Sequence, residues 1–197
     1  SGYNQFDNYT KTRYPNSKLY IIINKKAPAS DKTTNKFQWH FESKSYMNAL
    51  DQSINWQNML KENPELRDCF LSLQDGNGLR LKLLFGIDLK PEEKIIKNGN
   101  LDWLREYLAD DLPSDLEIFG HVDLSDCRAK RVKNLTVHGN LTIKKSNITQ
   151  IEGKLIVDGI FDAEDSHLES LPDGTIIGDS MMLRNSKITR LPKHLKV

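Results

Sequence analysis

A repeat of about 20 residues runs through the C-terminal part of this chain, from residue 112 to residue 197. Its units share the pattern Leu-Pro-x-x-Leu-x-Val-x-Gly-x-Leu-x-Leu-x-x-Ser-x-Ile-x-x, in which a glycine separates two alternating apolar pairs. Consecutive units start 20, 19, 20 and 20 residues apart, at Leu112, Val132, Ile151, Leu171 and Leu191. A fixed period of this length is typical of solenoids, whose stacked turns bury one continuous core.

Each apolar pair predicts a short strand, because alternation with period two places both side chains on one face. The glycine between the strands, at positions 120, 139 and 159, is expected at a corner with unusual backbone angles, and Asp179 takes this place in the fourth unit. A twisted antiparallel sheet also alternates, but it does not require a period constant to within one residue. The sequence therefore predicts a parallel β-solenoid of about four turns over 112–197. Small residues after the second pair are expected to form an inward ladder: Cys127, Ser146, Ser166 and Ser186.

The units carry Leu171-Pro172 and Leu191-Pro192, and tails such as Leu141-x-Ile143-x-x-Ser146-x-Ile148. On these residues the region 112–197 resembles the short leucine-rich-type repeats with Leu-Pro that occur in bacterial effector proteins acting on host cells. The resemblance implies a surface that binds a host protein, and a location in the cytoplasm or, after secretion, in a host cytoplasm. Such repeats also occur in viral proteins, so a phage protein is a second reading. Ser or Cys stands where leucine-rich repeats usually carry Asn, and an added Leu-x-Val-x-Gly segment favours a compact β-helix over a horseshoe.

The chain before the repeat divides into a polar tail or arm over 1–17, an α+β domain over 18–100 and a capping helix over 101–111. Alternating Leu19, Ile21 and Ile23 predict a strand over 18–24, which a polar loop follows. A second strand is predicted over 37–42, with three aromatic side chains on its buried face and three polar ones on the other. The aromatic residues are Phe37, Trp39 and Phe41, and the polar residues are Gln38, His40 and Glu42.

Helices are expected after these strands. Asn63-Pro64-Glu65 predicts a helix start, with Leu66, Cys69, Phe70 and Leu73 following at helical spacing. Asp75-Gly76-Asn77-Gly78 predicts a turn before another strand over 79–83. A last helix from Asn100 is expected to cover the first repeat, with Leu101, Leu104 and Leu108 on one stripe and Trp103 or Tyr107 packed on the first turn. The other end of the solenoid shows no obvious cap, so we expect either that the natural protein continues past Val197 or that another chain, such as a second copy, covers this end.

Composition excludes several classes of protein. The 28 Lys and Arg balance 27 Asp and Glu, so the net charge of +1 gives no general attraction for nucleic acid. Cys69 and Cys127 are too few for a disulfide framework and form no CxxC pair. No apolar run approaches the roughly 20 residues of a membrane helix, and no signal peptide is visible. We therefore expect no membrane insertion.

Motifs of enzymes and cofactors are missing from the sequence. It contains no GxSxG, P-loop, GxGxxG or HExxH, and none of its histidines has a partner at metal-ligand spacing, so no cofactor and no metal are expected. The alternative catalytic candidate is the pair His40 and Glu42, which Asp51 or Asp88 could join. Because these two residues are two positions apart on a strand, their side chains lie on the same face of the sheet, as acid–base catalysis requires. The simpler interpretation is the exposed polar face of an ordinary sheet.

A run of positive charge lies within the repeats, and an acidic run follows it. In stacked turns equivalent positions lie about 4.8 Å apart, so the run is expected to become a basic patch that binds a protein partner. Scarce aromatic residues argue against stacking of single-stranded nucleic acid. The function expected is a protein–protein interaction module, with an enzyme or a self-assembling subunit as alternatives. The candidate binding residues are Arg128, Lys130, Arg131, Lys133, Lys144 and Lys145.

Overall fold

The computed structural model describes residues 18–41, 43–73, 76–97, 101, 104 and 109–197. The chain forms two compact units that divide between Leu73 and Gln74. The boundary lies earlier than the one we expected near residue 100, so the segment 76–97 belongs to the same unit as the repeats. Within the described ranges, no helix combines the length and the apolar composition that crossing a bilayer requires.

The described part of the first unit consists of an antiparallel sheet followed by two helices. The strands β1 (Tyr20–Ile23), β2 (Lys36–His40) and β3 (Ser45–Asn48) lie in the order β1-β2-β3. The helices are α1 (Trp56–Glu62) and α2 (Pro64–Leu71). The predicted start of α2 is confirmed, with Pro64 in the first turn and Glu65 beside it. The stripe is only partly as predicted, because Phe70 is buried while Cys69 is exposed.

Aromatic side chains form the core of the first unit. Phe37, Trp39 and Phe41 are at most 7% exposed, which confirms the predicted buried face of the second strand. Trp39 stacks on Phe70 with ring centroids 5.1 Å apart and an interplanar angle of 16°. Large rings bury much apolar area each, so a small sheet and two short helices can enclose a core. Tyr20, Tyr46 and Trp56 complete the cluster.

The inward face of β1 is the opposite of the one that its isoleucines suggest. Ile21 and Ile23 are 46% and 66% exposed. Tyr20 and Ile22 instead lie opposite Trp39 and Phe37 in the antiparallel register. Directly opposed residues share one face of the sheet. The buried aromatic face of β2 therefore decides which side of β1 points inward.

The predicted strand over 79–83, and the turn before it, are wrong. Residues 76–84 form the helix α3 (Gly76–Leu84), which belongs to the second unit. The alternation of leucine with basic residues was misleading, because one of the basic residues is buried too. Lys82 is 6% exposed, and its Nζ lies 3.3 Å from Glu93 Oε1. This ion pair compensates the charge that α3 buries beside Leu79 and Leu81.

Two parallel sheets make up the repeat region, which is a β-solenoid of about four turns, as predicted. In the described residues, the larger sheet has the order β11-β9-β7-β5-β4 and the smaller one the order β12-β10-β8-β6. A 3₁₀ helix over Pro91–Lys94 precedes β4. The strands of the larger sheet are β4 (Ile95–Lys97), β5 (Leu116–Phe119), β7 (Arg131–His138), β9 (Gln150–Val157) and β11 (Ile176–Ile177). Those of the smaller sheet are β6 (Val122–Asp123), β8 (Leu141–Thr142), β10 (Phe161–Asp162) and β12 (Met181–Met182).

The register of the sheets follows the alignment of the repeats. Leu116 pairs with Leu135, which pairs with Leu155 on the next turn. The 19-residue step appears as a shift in the β7–β9 pairing between Lys133 and Leu135. The third repeat unit has one residue more than the second. This residue is accommodated at the register shift, and the pairing of the turns continues beyond it.

Proline decides where the long strands form. β7 and β9 each have eight residues and run through the leading position, where Val132 and Ile151 replace the Leu-Pro start. The units that begin with Leu-Pro have only short strands and isolated bridges at this place, such as Gln150 with Ser170. Proline has no N–H to donate to the hydrogen bonds between turns. The units that begin with Leu-Pro therefore lack the strand that β7 and β9 form at the start of their repeats.

The corner glycines serve two different purposes. Gly120 has φ +133°, the unusual conformation that we expected. Gly139 has no positive φ, but a Cβ there would lie 2.6 Å from the carbonyl oxygen of Gly120. Glycine is therefore required at Gly139 by the close approach of consecutive turns.

One hydrophobic core fills the solenoid. Three members of the predicted small ladder lie inside it, with Cys127, Ser146 and Ser166 at most 3% exposed, whereas Ser186 on the last turn is only partly buried. Leu101 and Leu104 are buried in the same core, at the end that the capping helix was predicted to cover. The rest of that helix, including Trp103, Tyr107 and Leu108, lies outside the described residues, as does the tail 1–17. The structure adds a cover that we did not predict, because β4 pairs in parallel with β5.

Candidate interaction surface

The outward face of the larger sheet carries two rows of side chains, one residue from each turn. We call these nine residues the sheet face. Strand alternation directs them outward, because the residues between them, such as Ile118 and Val137, are at most 1% exposed. The register aligns Ile95, Glu117, Thr136, Ile156 and Ile176 in one row and Lys97, Phe119, His138 and Asp158 in the other.

Apolar side chains are exposed at several points of the sheet face. Phe119 is 42% exposed, and Ile95 and Ile176 are each 36% exposed. Ile156 between them is partly exposed. The backbone beneath is hydrogen-bonded between turns, so these side chains stand on a rigid platform.

His138 lies at the centre of the sheet face between two carboxylates. Its Nδ1 is 2.7 Å from Asp158 Oδ2, and its Nε2 is 3.0 Å from Glu117 Oε1. The ring stacks on Phe119 with centroids 4.3 Å apart and an interplanar angle of 26°. Both ring nitrogens can donate to carboxylates only when both carry a proton. The hydrogen bonds that the ring donates to Glu117 and, to a smaller extent, to Asp158 therefore raise the pKa of His138 above its usual value.

The net charge of this cluster depends on the protonation state of His138. With an imidazolium, the three side chains carry one net negative charge, and with a neutral ring they carry two. In the part of the chain that the structure describes, no group of three or more His, Cys, Asp or Glu is arranged to hold a metal ion. The chemistry that the sheet face supports is therefore recognition of charge and apolar surface.

Three of the six predicted basic residues form ion pairs with acidic residues of the second compact unit. Lys130 Nζ lies 3.2 Å from Asp110, and Arg131 makes two contacts with Asp111, at 2.6 and 2.8 Å. The hydrogen bond from Arg131 lowers the pKa of Asp111. Lys144 Nζ lies 2.7 Å from Asp162 and 3.4 Å from Glu164 on the next turn.

The other three basic residues, Arg128, Lys133 and Lys145, are exposed, and no ion pair of theirs is found within the described ranges. The acids that compensate their neighbours lie on adjacent turns, about one repeat away in sequence. Aligning the units would have revealed Asp111 beside Arg131 and Glu164 beside Lys144. The role of the six residues in binding a partner stays a prediction.

His40 does not lie on a solvated face, so that expectation is wrong. Its side chain is 1% exposed. Nδ1 accepts a hydrogen bond from the Ser43 N–H at 3.2 Å and lies 2.5 Å from Ser43 Oγ. The reason is the turn after β2, in which the Lys44 N–H donates to Phe41 O and Ser43 folds back onto the ring. Glu42 lies outside the described residues. Of the two acids considered with it, Asp51 is exposed and Asp88 belongs to the other unit.

Sequence reasoning missed the cluster around His138, although a signal for it exists. Phe119, His138 and Asp158 occupy the same place in three consecutive units once the 19-residue step is aligned. Equivalent positions of stacked turns are neighbours, so the repeat alignment by itself predicts these contacts. Glu117 joins from the adjacent row, which only the side-chain geometry reveals.

Comparisons with known proteins add no family to this picture. The chain matches no protein-family model, no curated protein and no solved structure. The resemblance to leucine-rich-type repeats therefore rests on the repeat residues alone, and a function has to be argued from the side chains described above.

Proposed function

We propose that the repeat region is a protein-interaction module that binds a single segment of its partner on the sheet face. The observation that carries this proposal is the set of exposed apolar side chains Ile95, Phe119 and Ile176 around the His138 cluster. Aromatic and aliphatic side chains that a partner can bury provide most of the binding energy of protein interfaces. Exposed apolar side chains grouped on one side of a domain are typical of such sites. Here Glu117 and the buried Thr136 lie between Ile95 and the neighbouring pair Ile156 and Ile176.

The outward side of the smaller sheet is less suited to this role. Its charged residues are paired with one another, since Lys144 contacts Asp162 and Glu164, and Arg184 contacts Glu164 at 3.2 Å. A partner that covered these groups would remove water from ions whose mutual attraction is already in place, at a net cost in free energy. The sheet face also contains ion pairs, between His138 and the acids Glu117 and Asp158, but large apolar side chains are exposed beside them, and covering those side chains gains free energy.

The dimensions of the sheet face support a segment as the ligand. From β4 to β11 it crosses five strands, or about 19 Å at the usual strand spacing of about 4.8 Å. It is two outward residues wide, except at β11, where only Ile176 belongs to it. A strip of this size accommodates one helix, whose diameter is about 10 Å, or one extended segment of about six residues. The stacked backbone is already ordered, so binding does not require folding of the site.

The resemblance of the repeats to leucine-rich-type effector repeats supports the same function. On that resemblance we propose a leucine-rich-like module from a bacterial effector or a phage protein. Its partner would be a host protein met in the cytoplasm. The basic residues Arg128, Lys133 and Lys145 are available as a secondary contact. An enzyme with its site at His40 and Glu42 is not favoured by any observation, because His40 is buried against Ser43.

Peptide display tests the proposal and requires no identified partner. A library of 12-residue peptides is selected on the whole chain, and the affinities of the enriched peptides are measured by fluorescence anisotropy. Phe119→Glu places a charge in the sheet face and should weaken binding at least tenfold. Met182→Glu is the matched control, because Met182 is 37% exposed on the outward side of the smaller sheet. Failure to enrich any peptide, or equal binding by Phe119→Glu and the native chain, would refute the proposal.

A further inference from the structure

We infer that Glu117 and Asp158 bind an arginine side chain of the partner segment, and that His138 competes with this arginine for the two carboxylates. The inference names the chemistry of the partner and rests on the proposed function of the sheet face. It makes binding stronger where the histidine ring is neutral and weaker where the ring carries its second proton.

The hydrogen-bond geometry is the first argument. His138 spans the two carboxylates with Nδ1 2.7 Å from Asp158 and Nε2 3.0 Å from Glu117. A neutral imidazole has one N–H, so it can donate to only one of these groups at a time. The other carboxylate then receives no hydrogen bond from the ring. A guanidinium supplies up to five N–H donors in a planar fork, which suits carboxylate oxygens.

Phe119 is the second argument, and it favours arginine over lysine. Its ring already stacks on the planar ring of His138 at 4.3 Å, yet 42% of the residue remains exposed. A guanidinium packs on an aromatic ring through its plane while its N–H groups reach carboxylates beside the ring. An ammonium has no plane and keeps a tighter hydration shell, so it gains less from the same surface.

The charges around His138 decide whether protonation of its ring strengthens or weakens the binding of arginine. Glu117 faces it from β5, and Asp158 faces it from the residue after β9. Lys97 on β4 lies beyond Phe119 in the same row. His121 at the neighbouring corner accepts a hydrogen bond from the Asn140 N–H at 3.0 Å. The two acids outweigh the single proton of His138, so the centre of the sheet face attracts cations in both states, and more strongly when the ring is neutral.

Competition between a proton and a guanidinium gives a measurable pH dependence. Below the pKa of His138, the apparent affinity for an arginine-containing segment should fall by up to tenfold for each pH unit, because one proton must leave for each segment bound. Above that pKa the affinity should be constant. Because the two acids raise the pKa of His138, this change occurs at a higher pH than it would with an isolated histidine.

The peptides enriched at pH 8 provide the test. We expect arginine among their recurrent residues. Their binding, measured from pH 6 to pH 8.5, should strengthen as the pH rises, by up to tenfold for each pH unit below the pKa of His138. Replacing that arginine by citrulline, which keeps the shape but not the charge, should abolish the pH dependence and weaken binding. In His138→Gln the binding that remains should no longer change with pH, because the competing ring proton is absent. Glu117→Gln and Asp158→Asn should each weaken binding.

The outcomes separate this inference from the proposed function. Peptides that lose binding with Phe119→Glu but contain no arginine, or that bind equally at pH 6 and pH 8, would overturn the arginine site and leave the sheet face as the interaction surface. A pH dependence that persists in His138→Gln would also overturn it. Peptides that bind Phe119→Glu as well as the native chain would overturn both.

Discussion

Two valines at the same position of different turns allow a direct measurement of what stacking contributes to stability. Val157 lies on β9 between neighbouring turns and is fully buried, with 0% exposure. Val197 occupies the equivalent position two turns later and is 64% exposed. Substituting each by alanine removes the same atoms in the same local pattern. The difference between the two variants therefore reports burial alone.

The expected magnitude follows from the atoms removed. Val157→Ala takes the equivalent of two methylene groups from the core, or about 1.6 kcal/mol of transfer free energy. Incomplete collapse of the cavity adds roughly 0.5 to 1 kcal/mol, for a total near 2 to 2.5 kcal/mol. For a chain of this length, that loss lowers Tm by roughly 4 to 10 °C. Val197→Ala should change the stability by less than about 0.5 kcal/mol, as exposed substitutions do.

Urea unfolding followed by far-ultraviolet circular dichroism measures both variants. With Trp103→Phe added to both variants, the remaining tryptophans are Trp39 and Trp56, so fluorescence recorded in parallel follows the first unit. We expect a lower midpoint for Val157→Ala at an unchanged m-value. Equal destabilisation by the two variants, or none by Val157→Ala, would show that the stacking order described above is incorrect.

Three further predictions concern single positions of the solenoid. Gly139→Ala should destabilise the repeat region by about 1 to 3 kcal/mol in urea unfolding, because its Cβ would meet the backbone of Gly120 at 2.6 Å; Gly159→Ala should cost less, since its nearest obstacle is the Asn140 side chain. Lys145→Asn should raise the stability by about 0.5 kcal/mol, because φ is +52° at this position and Asn tolerates that region better than Lys; Lys187→Asn, at an ordinary φ, serves as the control and should bring no gain. His138→Gln should cost up to about 1 kcal/mol of stability at pH 5.5 and almost nothing at pH 9. The ionised ring stabilises the fold below the pKa that His138 has in the unfolded chain. This contribution is lost as the pH rises through the raised pKa of His138 in the folded protein. A cost that is the same at both pH values would contradict the pairing of the imidazolium with Glu117 and Asp158.

Repeat alignment predicts more of the interaction surface than motif searching does. No sequence motif marks Phe119, His138 and Asp158, and each of them alone is an ordinary surface residue. Their contact arises because residues one turn apart in a solenoid are hydrogen-bonded neighbours. The same alignment shows that Asp111 compensates Arg131, which a reading of charge runs along the chain overlooks. Glu117 could not be found in this way, because it lies in the other row.

The sequence by itself determined the solenoid, its period and the residues that stack. A repeated apolar pattern has one efficient way to bury its faces, namely on the next copy of itself, so Leu135 meets Leu155 whatever the rest of the chain does. Where no repeat exists, local pattern was not sufficient. Leu79 and Leu81 alternate as in a strand but lie in a helix, in which Lys82 is buried against Glu93, a contact that the local pattern does not reveal. His40 is buried for the same kind of reason, since the turn that brings Ser43 onto its ring is a property of the folded unit. Tertiary structure decided these cases because burial and pairing are set by neighbours in space, and only a repeat reveals those neighbours in the sequence.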